Sequence, residues 1–359
     1  MALNFGKYLS FLKVSGGGPV DEVVGVDVGS AAVKVVQLKR TEKAITLVTY
    51  GEMQIGPYAN KALGETAELS AEKQTEALVD VIRESSVTSQ NGVLAIPDAS
   101  SFLTVVGISA PSEAEVESRI NVEARKYIPV PLKEVTLNWF PIETKEHSNG
   151  IEQLVLLAAV TNDALAAQQE LLKSVNLAGS PSEIEVFSAV RSVLGPADTN
   201  TAVIDFGATA TRIYIVENGT IRRMYSSALG GEHFTKLIAA GTGMDFATAE
   251  IEKRTFGLKA DGQVKALVEA DLSRLLRELS LLMKKYENND SHTIDNVVIT
   301  GGGATMHELS PFLEEAFSKS VRLADPFAKV AYPAFMEDLL LKAGPNFSIA
   351  IGAALRSLE

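Results

Sequence analysis

Two stretches of the sequence decide the fold: VVGVDVGSAAVKVVQL at residues 23–38 and TAVIDFGATATRIYIV at residues 201–216. In each, a β-branched run ends in an aspartate, Asp27 or Asp205, and a glycine-containing turn leads directly into a second run. Two apolar runs separated by such a turn are typical of a β-hairpin. Because solenoid repeats are much shorter, a repeat half a chain apart predicts two related domains that face each other.

Length and composition agree with more than one domain. The chain has 359 residues, which is more than one hydrophobic core usually serves, and 46% of them are hydrophobic. The net charge of −12 disfavours broad nucleic-acid binding, because an acidic surface repels phosphate backbones. A local anion site built from backbone N–H groups does not depend on net charge.

Several other kinds of site are disfavoured by the residues that are missing. The sequence contains no cysteine, which excludes disulfides, thiolate zinc sites and thiol catalysis, and its four histidines show no HExxH spacing. The most continuous apolar run, at residues 154–160, is far shorter than the ~20 residues that span a bilayer, and it is typical of a buried strand.

The N-terminus, MALNFGKYLSFLKV, precedes a glycine-rich linker at residues 15–19 and lacks the features of a signal peptide. Two interpretations stay open. The segment is either an amphipathic helix at a membrane interface or else a frayed tail or a segment that docks on its own domain, and we favour the second interpretation.

Between the two repeats, the pattern predicts a small unit of strands and helices. Residues 102–108, 139–142 and 154–160 have strand character, whereas Ser112 and Glu115 have the spacing of a capping box at the start of a helix. A second helix is expected at residues 163–175. The second half is mostly helical, and the spacing of its apolar residues predicts a long helix over residues 264–286.

The turns of the two hairpins have the residues of a phosphate site. Gly29 and Gly207 allow tight turns in which backbone N–H groups can approach a phosphate. Each aspartate can hold Mg²⁺, usually through water. A single DxG is more often a structural turn, but two copies in matching strand contexts favour a ligand site.

A third glycine element, ITGGGA at residues 299–304, follows an apolar strand and precedes a helix. It matches neither GxxxxGK(S/T) nor GxGxxG, which disfavours P-loop and Rossmann sites. It is either a flexible turn or a place where the backbone passes close to a flat ligand, and we favour the ligand. Gly230 and Gly231 form a fourth and weaker element.

The order of VDVGS, IDFGAT, ALGGEHFT, AEIEKR and ITGGGA resembles the phosphate and adenosine motifs of the superfamily of actin, sugar kinases and heat-shock chaperones. GVDVGSAAVKVVQL at 25–38 and EARKYIPVPLKEVTLNWFPI at 123–142 resemble the PilM family of actin-like type IV pilus assembly proteins, with FtsA as a relative. The resemblance covers nearly the whole chain from about residue 23.

The resemblance implies an α/β fold, the actin-like (ribonuclease H-like) two-domain fold with a small α+β module inserted in the first domain. The implied parts are an N-terminal tail and linker (1–20), a first domain (21–95 with 176–198 and 346–359), an inserted module (96–175) and a second domain (199–345).

The resemblance also implies ATP and Mg²⁺ as cofactors and assigns their site. Mg²⁺ would lie between Asp27 and Asp205, and Glu185 would orient the attacking water. The nucleotide would be held by Gly29, Ser30, Lys34, Gly207, Ala208, Thr209, Gly230, Gly231, Glu250, Lys253, Gly301, Gly302 and Gly303. Because Ala208 lacks a hydroxyl group, we expect at most slow hydrolysis.

Three functions follow from such a fold. The first is a cytoplasmic adaptor at the inner face of the membrane, which grips the N-terminal peptide of a PilN-like inner-membrane protein between the first domain and the module. A pilus motor ATPase is a further candidate partner, and membrane contact is expected only through the partner or the N-terminal tail. The second is an FtsA-like filament protein, disfavoured because no amphipathic helix follows residue 354. The third is a small-molecule kinase, for which no separate general base is found.

Overall fold

The computed structural model describes residues 20–358 except 149, 260–261 and 291. Both interpretations of the N-terminal tail therefore lie outside the described residues. The strands are β1 Glu22–Val28, β2 Ala32–Arg40, β3 Ile45–Gln54, β4 Asn91–Ile96, β5 Ser101–Ala110, β6 Val135–His147, β7 Gly150–Thr161, β8 Ala178–Ile184, β9 Asn200–Phe206, β10 Thr211–Glu217, β11 Thr220–Ser227, β12 Asn296–Thr300 and β13 Ser320–Leu323. The helices are α1 Ala71–Glu84, α2 Glu113–Ala124, α3 Asn162–Ser174, α4 Glu185–Val193, α5 Gly231–Thr242, α6 Phe246–Phe256, α7 Gln263–Asp290, α8 Leu309–Phe317 and α9 Glu337–Leu358.

Two five-stranded sheets have the same topology. The first has the order β3-β2-β1-β4-β8 and the second has the order β11-β10-β9-β12-β13. In each, three strands form an antiparallel meander, and the last two strands run parallel to the first strand of that meander. The repeat seen in the sequence is therefore a repeat of a whole sheet.

A third sheet, of order β5-β7-β6, is antiparallel and forms the inserted module. One of its faces is covered by α2, which buries Val116, Ile120 and Ala124. The other face packs against α4 and against the second sheet, where Leu156 and Ala158 share a core with the strands around Val203. The module thus joins the cores of both halves.

The module's three strands span residues 101–161, and α3 follows them. Leu171 and Leu172 of α3 pack into the core of the first sheet with Val24, Leu78 and Leu94. The sequence analysis grouped this helix with the module, because amphipathic spacing does not say which of two sheets a helix covers. The limits of the four parts remain predictions.

The predicted capping box at the start of α2 is wrong. Ser112 is the N-cap residue, but among the residues that the structure describes its side chain accepts no capping hydrogen bond. At the start of α1, by contrast, the Ser70 side chain accepts a bond from the N–H of Lys73 (3.3 Å). The sequence pattern identified where α2 begins but not which groups accept hydrogen bonds from the backbone N–H groups of its first turn.

Two buried helices, α4 and α9, connect the halves. Arg191 of α4 pairs with Glu183 (3.0 Å from Nη2 to Oε2), and both side chains are almost fully buried. A Cβ atom at Gly352 of α9 would overlap the carbonyl oxygen of Ser188, so the two helix backbones touch. α9 also contains Pro345. Within the described part of the chain, no helix is both long and apolar enough to cross a membrane.

Candidate functional site

The two predicted hairpins form and have the same turn geometry. The N–H of Gly29 donates to the carbonyl of Ala32 (3.0 Å), and the N–H of Gly207 donates to the carbonyl of Ala210 (3.0 Å). A Cβ atom at Gly29 or Gly207 would lie 3.1 or 2.9 Å from that same carbonyl oxygen. Glycine therefore lets both turns close tightly.

The hairpin tips meet across a cleft. The hydroxyl groups of Ser30 and Thr209 lie 3.5 Å apart. The tip carbonyls are also bonded in equivalent ways, since Ala67 donates its N–H to the carbonyl of Ser30 (3.0 Å) and Glu232 donates its N–H to the carbonyl of Ala208 (2.9 Å). The two halves thus present matching turns to the same space.

Each hairpin places a basic residue beside its aspartate. Lys34 lies opposite Asp27 in the β1–β2 register, with Nζ 3.2 Å from Oδ2. Arg212 lies opposite Asp205 in the β9–β10 register, but its nearest approach to that carboxylate is 3.9 Å. Burial raises the pKa of Asp205 to about 6, although the charge of Arg212 opposes the shift.

The cleft has a volume of about 640 Å³ and collects nearly all of the predicted site residues. Its lining includes Asp27, Gly29, Ser30, Lys34, Glu185, Asp205, Gly207, Ala208, Thr209, Gly231, Glu250, Lys253, Gly301, Gly302 and Gly303. Gly230 is the exception. It lies behind the second hairpin, where a Cβ atom would overlap the carbonyl oxygen of Ala208, so its role is close packing.

The triple-glycine loop lies against the second hairpin. Gly301 has φ +84°, and a Cβ atom there would overlap the Asp205 carboxylate. The N–H of Gly301 donates to the carbonyl of Pro345 in α9 (3.0 Å). The loop is therefore fastened to a helix of the other half, and its backbone is exposed to the cleft beside the aspartate.

Glu250 and Lys253 form a buried pair on α6. Lys253 Nζ donates to Glu250 Oε2 (2.7 Å) and to the carbonyl of Gly231 (2.8 Å). Burial alone would raise the pKa of Glu250, but the charge of Lys253 and its hydrogen bond hold that pKa below its usual value. Burial lowers the pKa of Lys253, against the opposing charge of Glu250.

Glu185, which lines the cleft, is bonded to Asp98, a partly buried carboxylate that is not among the predicted site residues. Glu185, the first residue of α4, accepts a hydrogen bond from the N–H of Asp98 (3.3 Å). Burial, and then the charges of Asp98 and Asp27, raise the pKa of Glu185 well above its usual range. Asp98 lies two residues after the end of β4, which runs parallel to β1, so its position near a strand end could have indicated it.

A loop of the first half crosses to the second half at residues 61–69. The N–H and the hydroxyl group of Thr66 both donate to Glu232 Oε1, at 3.1 and 2.9 Å. Gly64 packs against Glu250, since a Cβ atom there would lie 2.9 Å from its side-chain carboxyl carbon. The loop contributes Gly64 and Ala67 to the cleft lining and thereby partly covers it.

A family model describes the chain over this whole region. The model of the type IV pilus assembly protein PilM matches residues 25–358. The chain belongs to the PilM family. The resemblance read from the sequence motifs is therefore confirmed, and the PilM family is a family of type IV pilus assembly proteins.

Solved structures confirm the actin-like fold of this PilM-family chain. A PilM–PilN type IV pilus biogenesis complex is similar with a TM-score of 0.79 and 23% identity, over 95% of this chain and 100% of that one. The ethanolamine utilization protein EutJ from Carboxydothermus hydrogenoformans has a TM-score of 0.56 and 15% identity, with 95% and 91% covered. MreB5 of Spiroplasma citri bound to AMPPNP has a TM-score of 0.52 and 12% identity, with 94% and 96% covered.

The cell division protein FtsA of Bacillus subtilis (strain 168) is a more distant relative of this PilM-family chain. It is 20% identical over 87% of this chain and 81% of its own length. The expected kinship with FtsA is confirmed, but the family match favours the pilus assembly function over the division function.

The residues present fit a magnesium–nucleotide ligand better than a metal held by protein alone. Among the described residues, no group of three or more histidine, aspartate or glutamate side chains could hold a metal ion. Mg²⁺, however, is usually bound through one or two carboxylates, several waters and the phosphates of a substrate. Asp27 and Asp205, on two glycine turns that face one cleft, match that requirement.

Proposed function

We propose that this PilM-family protein binds ATP with Mg²⁺ in the cleft and acts in pilus assembly as a nucleotide-dependent adaptor for a PilN-like inner-membrane protein. One observation carries the nucleotide assignment: the two hairpins present equivalent aspartates and glycine turns to the same cleft. Backbone N–H groups of such turns suit phosphate oxygens, and two facing turns can hold a polyphosphate from both sides.

In this proposal, different elements of the cleft would contact the phosphates, the Mg²⁺ ion and the adenosine. Gly29, Gly207 and the hydroxyl groups of Ser30 and Thr209 would bind phosphate oxygens, with Lys34 adding a positive charge. Asp27 and Asp205 would hold Mg²⁺ through its waters. The triple-glycine loop and the Glu250–Lys253 pair would line the adenosine. MreB5 of Spiroplasma citri, which shares the fold, is bound to AMPPNP.

We expect hydrolysis to be slow at best. Glu185 is the residue best placed to orient a water, but a raised pKa keeps more of its carboxyl protonated. A protonated carboxyl cannot accept a proton from the attacking water. Ala208 contributes no hydroxyl group to the phosphate site. The site therefore suits retention of a nucleotide better than turnover.

The partner assignment draws on the related PilM–PilN complex. We expect the N-terminal cytoplasmic peptide of a PilN-like protein to lie in a groove between the first domain and the module, within residues 96–175. α3 contacts β7 of the module as well as β4 and β8 of the first sheet, so the two units adjoin there. The protein would then be cytoplasmic and peripheral to the inner face of the membrane. A pilus motor ATPase is a further partner to test.

The nucleotide assignment is tested by thermal unfolding with ATP and Mg²⁺. Because a ligand at 100 times its Kd stabilises the fold by about 2.7 kcal/mol, a chain of 359 residues should melt about 4 °C higher. The shift should vanish in D27A/D205A and in the gentler D27N/D205N. A matched control, D21A/D163A, removes two exposed carboxylates outside the cleft and should keep the shift. An unchanged shift in both cleft variants would exclude this nucleotide site.

The partner assignment is tested by hydrogen exchange with a synthetic peptide from the N-terminus of a PilN-like protein. Binding should slow amide exchange within residues 96–175 and in the adjoining first domain, whereas a scrambled peptide should not. Protection limited to residues 199–345, or the same response to both peptides, would contradict the proposed groove.

A further inference from the structure

Three parts of the molecule meet at Asp98, which lies between β4 of the first sheet and β5 of the module. Its backbone carbonyl accepts a hydrogen bond from the hydroxyl group of Ser101, the first residue of β5 (3.1 Å). Its N–H donates to Glu185 (3.3 Å), and its carboxylate accepts from the N–H of Val186. Asp98 is thus bonded both to the root of the module and to the first turn of α4.

The same carboxylate reaches into the second half. Asp98 Oδ2 accepts from the hydroxyl group of Tyr214 (3.0 Å) and pairs with Arg212 Nε (3.1 Å). Tyr214 is almost fully buried, and Arg212 is the basic residue of the second hairpin. Charged hydrogen bonds are short and directional, and water screens them less at a partly buried pair such as this one than at the surface.

Arg212 therefore stands between two carboxylates, Asp98 at 3.1 Å and Asp205 at 3.9 Å. Any ligand that changes the charge around Asp205 changes how strongly that carboxylate attracts the guanidinium group. A change in the position of the Arg212 guanidinium group then directly alters its ion pair with Asp98. Because Asp98 is bonded to the first residue of β5, the change reaches the module without passing through solvent.

We propose that Asp98 is a positioning residue that couples the ligand state of the second hairpin to the inserted module. The proposal rests on the proposed nucleotide site and adds how that site regulates the module. A second link between module and second half, Glu143 to Arg222 (3.2 Å), meets β10 through Glu217, at the end of the strand far from the hairpin turn, and should not share this role. Coupling requires that the site with nucleotide and the site without it attract Arg212 to different extents.

The experiment compares amide hydrogen exchange of the full chain with and without ATP and Mg²⁺. In the wild type, the ligand should slow exchange at the hairpin turns and also in β5, by about 5-fold or more, the lower end of usual coupling between sites. In D98N the hairpin turns should still respond, whereas the response of β5 should be lost. Y214F removes only the hydroxyl group and should reduce the response of β5.

E143Q is the matched control, because it weakens a different polar link between the module and the second half. It should leave the ligand response of β5 as in the wild type. Y214F keeps the ring volume, so it still tests the proposal if D98N does not fold.

Three results would overturn the coupling. The first is a full β5 response in D98N or, if that variant does not fold, in Y214F. The second is a loss in E143Q equal to that in D98N. The third is a wild-type response at the hairpins alone, which would leave the nucleotide site intact. No response at the wild-type hairpins would instead overturn the nucleotide site and the coupling together.

Discussion

The hairpin around Asp27 and the hairpin around Asp205 have the same turns but different surroundings. Lys34 pairs with the aspartate of its own hairpin at 3.2 Å, whereas Arg212 lies 3.9 Å from Asp205 and 3.1 Å from Asp98. The first hairpin is thus self-contained, and the second is linked to the module. A repeated sequence motif reproduces the backbone, but the neighbouring elements decide which carboxylate its basic residue binds.

The largest expected difference between the hairpins is in stability. R212A removes the cation from the partly buried Asp98 and from the buried Asp205, and breaking a buried pair costs about 3–5 kcal/mol. K34A removes the ion-pair partner of one carboxylate, that of Asp27. We therefore expect K34A to lower the free energy of unfolding by an amount nearer the lower end of the range of about 2–5 kcal/mol for such truncations. Chemical denaturation of both variants measures the difference. R212K, which keeps the charge, should fall between wild type and R212A, and equal losses in R212A and K34A would contradict the comparison.

A smaller effect is expected where the two halves touch across the cleft. E232A removes the acceptor of both hydrogen bonds from Thr66, so the loop at residues 61–69 should open more often. A hydrogen bond to a charged group contributes about 1.5 kcal/mol or more, which predicts ATP dissociation about 10-fold faster. Release of a fluorescent ATP analogue into excess ATP measures this rate.

The control for this loop is K236A, which removes the ion pair between Lys236 and Glu232 (2.9 Å) but keeps both bonds from Thr66. Its dissociation rate should stay close to that of the wild type. If K236A releases nucleotide as fast as E232A, the charge of this surface, and not the loop contact, sets the rate.

The smallest expected effect lies at the tips, where Ser30 of the first hairpin corresponds to Ala208 of the second. S30A removes a hydroxyl group and A208S adds one, and a single hydrogen bond contributes about 0.5–1.5 kcal/mol. We expect ATP affinity to fall a few-fold in S30A, to rise a few-fold in A208S and to return close to wild type in S30A/A208S. Isothermal titration calorimetry measures all three. Weaker binding in A208S would show that the second tip makes no room for a hydroxyl group.

The sequence was most informative where a feature depends on neighbouring residues. Both hairpins and the triple-glycine loop could be predicted from the residues, because turns depend on residues a few positions apart. The assignment of Glu250 and Lys253 came from the family resemblance. In the structure, nearly every predicted site residue lies in one cleft. The internal repeat predicted two domains that face each other, and the family resemblance assigned the nucleotide to the cleft between them.

The rest depends on contacts between distant segments. Gly230 was assigned to the nucleotide but supports a turn, because its tight contact is with Ala208. Asp98 was missed because its partners, Arg212 and Tyr214, are more than a hundred residues away. The bonds from Thr66 to Glu232 join a loop of the first half to the first turn of α5 in the second half, and no local pattern in either segment predicts them.

The contact of α4 with α9 limits how these two helices can move against each other. At Gly352 the two backbones touch with no side chain between them, and a Cβ atom at Gly25 would likewise overlap the carbonyl oxygen of Ala350 in α9. Sliding one surface over the other would need side chains that can change rotamers, as in shear motions. A bare backbone crossing has none, so we expect α4 and α9 to move together as one block if ligand or partner changes the angle between the halves.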